Sequence, residues 1–105
     1  MGKVVDHGKP YWLEMEWVVR SIVGKNPAKP NKWHPRLIGK RCGIELLELH
    51  RTGHIWVEGL VAWEEYSPYF TTPVLNLECE NDVLTVETEK SVYTFERVYA
   101  EENND

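Results

Sequence analysis

Residues 13 to 19, LEMEWVV, alternate: Leu13, Met15, Trp17 and Val19 fall on one face, Glu14 and Glu16 on the other. Period two with bulky side chains predicts a β-strand. A helical reading competes, since Trp12, Met15, Val19 and Ile22 also sit at helix-compatible spacing. The β-branched run through 17–23 and the lack of an N-cap before Tyr11 favour the strand. The pattern then breaks at 24-GKNPAKPNKWHP-35, where three prolines and a glycine predict a long loop over 24–36.

Two further apolar runs, 37-LIGKRCGIELLELH-50 and 54-HIWVEGLVAW-63, predict consecutive strands. A three-residue loop Arg51-Thr52-Gly53, with Gly53 left-handed, would pair His50 with His54, Leu49 with Ile55 and Leu47 with Val57. That register places Leu47, Leu49, Ile55, Val57, Val61 and Trp63 on the core face. Trp56 falls on the reverse side with Ile44, Leu46 and Leu60. The stretch 64-EEYSPYFTTP-73 predicts an aromatic loop, and 73-PVLNLECE-80 another strand. Asn81-Asp82 tolerates positive φ and suits a two-residue turn, setting Cys79 opposite Leu84 and Leu77 opposite Val86. A turn at Lys90-Ser91 leads into a last strand over 92–99. Short strands separated by turn signals predict an all-β fold, a small partly closed antiparallel barrel or strongly bent sheet of five to seven strands. Residues 1–100 form one domain on this reading, and 101-EENND-105 a disordered acidic tail.

Length and composition narrow the class. A chain of 105 residues can bury a modest core without metals or disulfides. No apolar run reaches membrane-spanning length, and MGKVVDHGKPYW lacks a signal-peptide segment, so a soluble cytoplasmic protein is expected. Cys42 and Cys79 show no metal or redox spacing. The net charge of −5 is unevenly spread. Residues 1–41 carry nine Lys/Arg against three Asp/Glu, and residues 42–105 carry three against fourteen.

Several features are candidates for function. The segment 25–41 holds Lys25, Lys29, Lys32, Arg36, Lys40 and Arg41 without an acid, interleaved with Trp33; cations beside a flat ring suit phosphate or single-stranded nucleic acid. The alternative is that this loop folds back on the acidic half of its own chain. Glu78, Glu80, Glu87 and Glu89 form an outward carboxylate face, without a base between them, suited to a basic protein surface or to ordinary solvation. Trp56, Leu46 and Leu60 form an apolar face, to be covered by Tyr11 and Trp12, by a symmetric copy in a homodimer, or by a partner. His50 and His54 would be cross-strand neighbours, a weak metal candidate and more simply the shoulders of a turn. No nucleophile elbow, phosphate loop or carboxylate pair appears, so no catalysis and no cofactor are expected.

The resulting expectation is a non-catalytic module that binds and blocks or recruits another macromolecule, a protein first and nucleic acid as the alternative. Small inhibitors from phages and mobile elements share this profile of size, acidity and missing motifs.

Overall fold

The computed structural model describes Leu13 and residues 15–99. Tyr11, Trp12 and the tail 101–105 lie outside the described residues. Six strands, β1 (Glu16–Gly24), β2 (Arg41–Leu46), β3 (Thr52–Val61), β4 (Glu64–Glu80), β5 (Val83–Thr88) and β6 (Ser91–Val98), form a closed barrel in sequence order. Every neighbouring pair is antiparallel, and β6 returns to β1 to close the ring. A short helix, α1 (His34–Leu37), follows the proline-rich loop.

The alternation read in LEMEWVV holds from Glu16, where β1 begins; Leu13 lies in a helical turn ahead of the strand, and Glu14 is outside the described residues. Trp17 and Val19 are buried, with Leu13 and Met15 packed against the core. Inward residues from the other strands, among them Ile44, Val57, Leu84, Val86 and Phe95, complete one core inside the barrel. Leu37, at the end of α1, is buried in the same core. Residues 37–40 are therefore not strand, as the apolar pattern suggested. They make a helical turn and a left-handed Gly39, and backbone bonds join Gly39 and Lys40 to Val19.

The β4–β5 hairpin forms in the predicted register, Cys79 opposite Leu84 and Leu77 opposite Val86. Its turn residues Asn81 and Asp82 both have positive φ, 52° and 67°. The next turn lies one residue earlier than expected, at Glu89-Lys90, with Ser91 already in β6.

The β2–β3 hairpin differs. Ile44 pairs with Ile55 and Cys42 with Val57, a shift of five positions from the expected register. An odd shift exchanges the faces of a strand. Ile44 accordingly points into the core, and Leu49 is exposed. A bulge between Ile44 and Leu46 then returns Leu47 to the interior. The connection is the five-residue stretch 47–51, and its shape is set by β4. The His50 N–H donates to the Val74 carbonyl at 2.7 Å, and the Val74 N–H donates to the Arg51 carbonyl at 3.0 Å. The left-handed residue is His50, at φ 67°, not Gly53.

Gly53 is required for closeness instead. Its N–H donates to Thr71 Oγ1 at 2.9 Å, and a Cβ there would stand 3.0 Å from that oxygen and 3.1 Å from Leu47 Cδ1. Gly53→Ala is expected to cost about 1 kcal/mol through overpacking. Gly43→Ala, with nothing within 4 Å of the added carbon, should stay within about 0.5 kcal/mol. Urea unfolding of the two variants measures the contrast, and equal losses would remove the packing argument.

The aromatic stretch 64–73 is strand, not loop. It is the first half of β4, paired with β3 from Glu64 to Pro73, while β5 pairs with β4 only from Val74 onward. One paired side is the setting in which a strand tolerates proline, so Pro68 and Pro73 do not interrupt it. Gly59, left-handed at φ 70°, coincides with a second bulge between Glu58 and Val61. Beyond it Leu60 packs against the core, leaving the Trp56 face where the sequence placed it, and Val61 is only half-buried. Trp63, expected in the core, stands at the hairpin tip 81% exposed.

Candidate interaction surfaces

Two surfaces stand apart from an otherwise ordinary exterior. Around β1, β5 and β6, half-exposed Val18, Thr85 and Thr94 sit with ion pairs: Arg20 with Glu96 on the outer face, and Arg97 with Asp82 of the β4–β5 turn. Exposed pairs of this kind contribute little energy and simply keep the face solvated.

The first unusual surface lies on the outer face of β3 and β4. Ile55 and Val57 point inward, so His54, Trp56 and Glu58 point outward. Their register partners on β4 are Phe70, Pro68 and Tyr66. An apolar strip results, with Phe70 56%, Tyr66 50% and Trp56 43% exposed, and Trp63 stands exposed at the tip of the same hairpin. The strip is held in shape from below and from the side. The His54 ring stands edge-on to Phe70 at 4.7 Å, and the Trp56 indole N–H donates to Glu45 Oε1 at 2.7 Å. Leu46 pairs with His54 and extends the strip onto β2. Carboxylates lie near it: Glu45 bonded to the Trp56 indole, Glu58 paired with Tyr66, and Glu64 and Glu65 at the start of β4, where Glu64 Oε1 accepts from the Ser67 hydroxyl at 2.9 Å.

Trp56 and Leu46 on this face were legible in the sequence. Tyr66, Pro68 and Phe70 were not, although their spacing of two was the available signal. Prolines at 68 and 73 masked it.

The second surface is a cleft of about 710 Å³ between the 24–35 loop and the Glu89-Lys90-Ser91 turn. Pairing of Gly24 with Ser91 brings the two together, and the Lys25 N–H donates to the Lys90 carbonyl at 2.8 Å. The loop has its own order. Asn26 Oδ1 accepts from the Ala28 N–H at 3.0 Å, and Asn31 Oδ1 from the Trp33 N–H at 2.7 Å, two side-chain turns that fix the bends between prolines. His34 also lines the cleft, edge-on to Tyr93 at 5.8 Å, and partial burial lowers its pKa below the ordinary histidine value.

The basic residues do not act as one group. Lys25 reaches Glu87 at 2.6 Å and Arg41 reaches Glu16 at 2.7 Å, so among the described residues two of the six cations are paired. The Arg36 guanidinium lies over the Trp33 ring at 4.9 Å. Lys25 and Lys29 line the cleft, whereas Lys32, Trp33, Arg36, Lys40 and Arg41 lie outside its lining. The carboxylate face is likewise divided. Glu78 and Glu80 are exposed on β4, Glu87 carries the Lys25 ammonium, and Glu89 belongs to the cleft wall.

His50 and His54 are not cross-strand neighbours. His50 sits in the 47–51 connection and His54 against Phe70. Among the described residues no three His, Cys, Asp or Glu side chains come together to hold a metal. Both cysteines are free; burial pushes the Cys42 thiol up to about 12, and the Glu16 carboxylate adds to the effect. A thiol held protonated in this way is a core side chain rather than a nucleophile. No helix of the described residues is long and apolar enough to cross a membrane. Compared with known family models, curated proteins and solved structures, the chain matches none of them.

Proposed function

We propose that this barrel is a non-catalytic interaction module that holds another protein on the outer face of β3 and β4, and thereby blocks or recruits it. The observation that carries the reading is the exposed aromatic strip of Trp56, Tyr66 and Phe70 on paired strands, with Trp63 exposed at the adjoining hairpin tip. Large rigid aromatics supply contact area at low entropy cost and are the residues that dominate protein interfaces. An exposed apolar patch on a sheet face, where ordinary alternation would place polar residues, also carries a solubility cost that binding offsets. The rim of Glu45, Glu58, Glu64 and Glu65 selects the partner's chemistry: apolar side chains flanked by lysine or arginine.

The test is affinity capture from a host lysate with nuclease-treated and untreated arms. The unaltered chain should retain a protein in both arms. Trp63→Ser combined with Phe70→Ser should release it, while Lys29→Ser, Lys32→Ser and Arg36→Ser together should not. Retention by the strip variant, or loss after nuclease, would overturn the reading, and the second result would favour nucleic acid at the basic loop. Sedimentation of the purified chain separates a foreign partner from a second copy on the same strip.

A further inference from the structure

We propose that the cleft between the 24–35 loop and the β5–β6 turn binds a small organic phosphate. Its volume of about 710 Å³ falls within the range of small-molecule sites and is much larger than a bare anion needs. Lys29 from the loop and Lys90 from the turn both line the cleft. Among the described residues neither has an ion-pair partner, unlike Lys25, which Glu87 neutralises. Two lysines without an ion-pair partner lining one space attract an anion, and Lys is suited to phosphate as a point charge. Among the described residues Glu89 is the one carboxylate in the lining, and it opposes them.

The remaining lining explains why the ligand is organic. Pro27, Pro30, Pro35 and the imidazole of His34 offer flat and apolar surface, suited to a ring rather than to water. The walls are also preorganised. The side-chain oxygens of Asn26 and Asn31 fix the loop by accepting from the Ala28 and Trp33 N–H groups, and the Lys25 N–H ties it to the turn. Binding to such a cleft does not first have to order the loop, which lowers its entropic cost. The site is independent of the aromatic strip, so failure of protein docking leaves it standing.

Titration of the ¹⁵N-labelled chain with AMP, with adenosine and with inorganic phosphate, followed by amide chemical shifts, tests it. AMP should move the amides of Lys25 to Asn31 and Glu89 to Ser91 saturably. Inorganic phosphate should move the same amides with weaker affinity, and adenosine should not move them. Lys29→Ser combined with Lys90→Ser should weaken AMP binding by about tenfold or more through loss of charged contacts. Glu89→Gln should tighten it. All three side chains are at exposed positions, so the variants should keep the wild-type spectrum elsewhere. Adenosine binding as well as AMP, inorganic phosphate binding as tightly as AMP, shifts that do not saturate, or unchanged affinity in the lysine variant would each overturn the proposal.

Discussion

Replacing Trp17 with alanine is expected to lower the unfolding free energy by about 3–5 kcal/mol, the range for truncating a buried aromatic. Trp17 is fully buried and lies at the middle of the three residue pairs that join β1 to β2, between Glu16 paired with Gly43 and Val18 paired with Arg41. β1 holds β6 along most of its length but meets β2 only there. The indole therefore fills the core under the shortest seam of the barrel. Its loss removes the transfer free energy of the ring and leaves a cavity that three pairs of backbone cannot collapse around. Domains of this size retain roughly 5–15 kcal/mol in total, so the variant should unfold at a much lower urea midpoint with a similar slope. Trp17→Phe, which keeps most of the apolar volume, should recover the larger part. A loss below about 1 kcal/mol for the alanine variant would show that the seam is supported from elsewhere.

The reason β1 could be read from sequence, and β2–β3 could not, lies in where each register is decided. Along 13–19 the alternation itself places Trp17 and Val19 inward, with no help from another strand. The β4–β5 register was legible because Asn81 and Asp82 impose a local two-residue turn. In the β2–β3 hairpin the deciding contacts come from Val74, more than twenty residues beyond His50, and the local glycine was a distraction. Gly53 serves a close approach to Thr71, and that neighbour is also invisible to local pattern. The same distinction applies to the surfaces. Trp56 was placed outward correctly in a wrong register, because β3 kept its own alternation. The cleft needed the pairing of Gly24 with Ser91 to exist at all. Its lysines were visible as charge, but Lys90 belonged to a different stretch of chain from Lys29.

Among the polar substitutions, Thr88→Val should have the largest effect, about 3 kcal/mol, although it preserves the shape of the side chain. Thr88 is completely buried, and its hydroxyl is the hub that closes the β5–β6 turn. It donates to the Ser91 carbonyl at 3.1 Å and accepts from the Ser91 N–H at 3.1 Å and from the Thr72 hydroxyl at 2.8 Å. The Lys90 N–H is shared between Thr72 Oγ1 and Thr88 Oγ1 at 3.2 and 3.3 Å. Valine would leave the Ser91 groups and the Thr72 hydroxyl without this partner in a site where water cannot easily replace it. An orphaned buried polar group costs about 1–3 kcal/mol, and several are created at once. Thr88→Ser, which keeps the hydroxyl and loses a methyl, should cost only about 1 kcal/mol. The order of these two variants in urea unfolding is the measurement, and a valine variant as stable as the serine one would refute the hub. The consequence reaches function because Glu89, Lys90 and Ser91 form one wall of the cleft. Thr88→Val should therefore also loosen that wall, seen as faster amide exchange at Lys90 and Ser91, while the aromatic strip on the opposite half of β4 keeps its geometry.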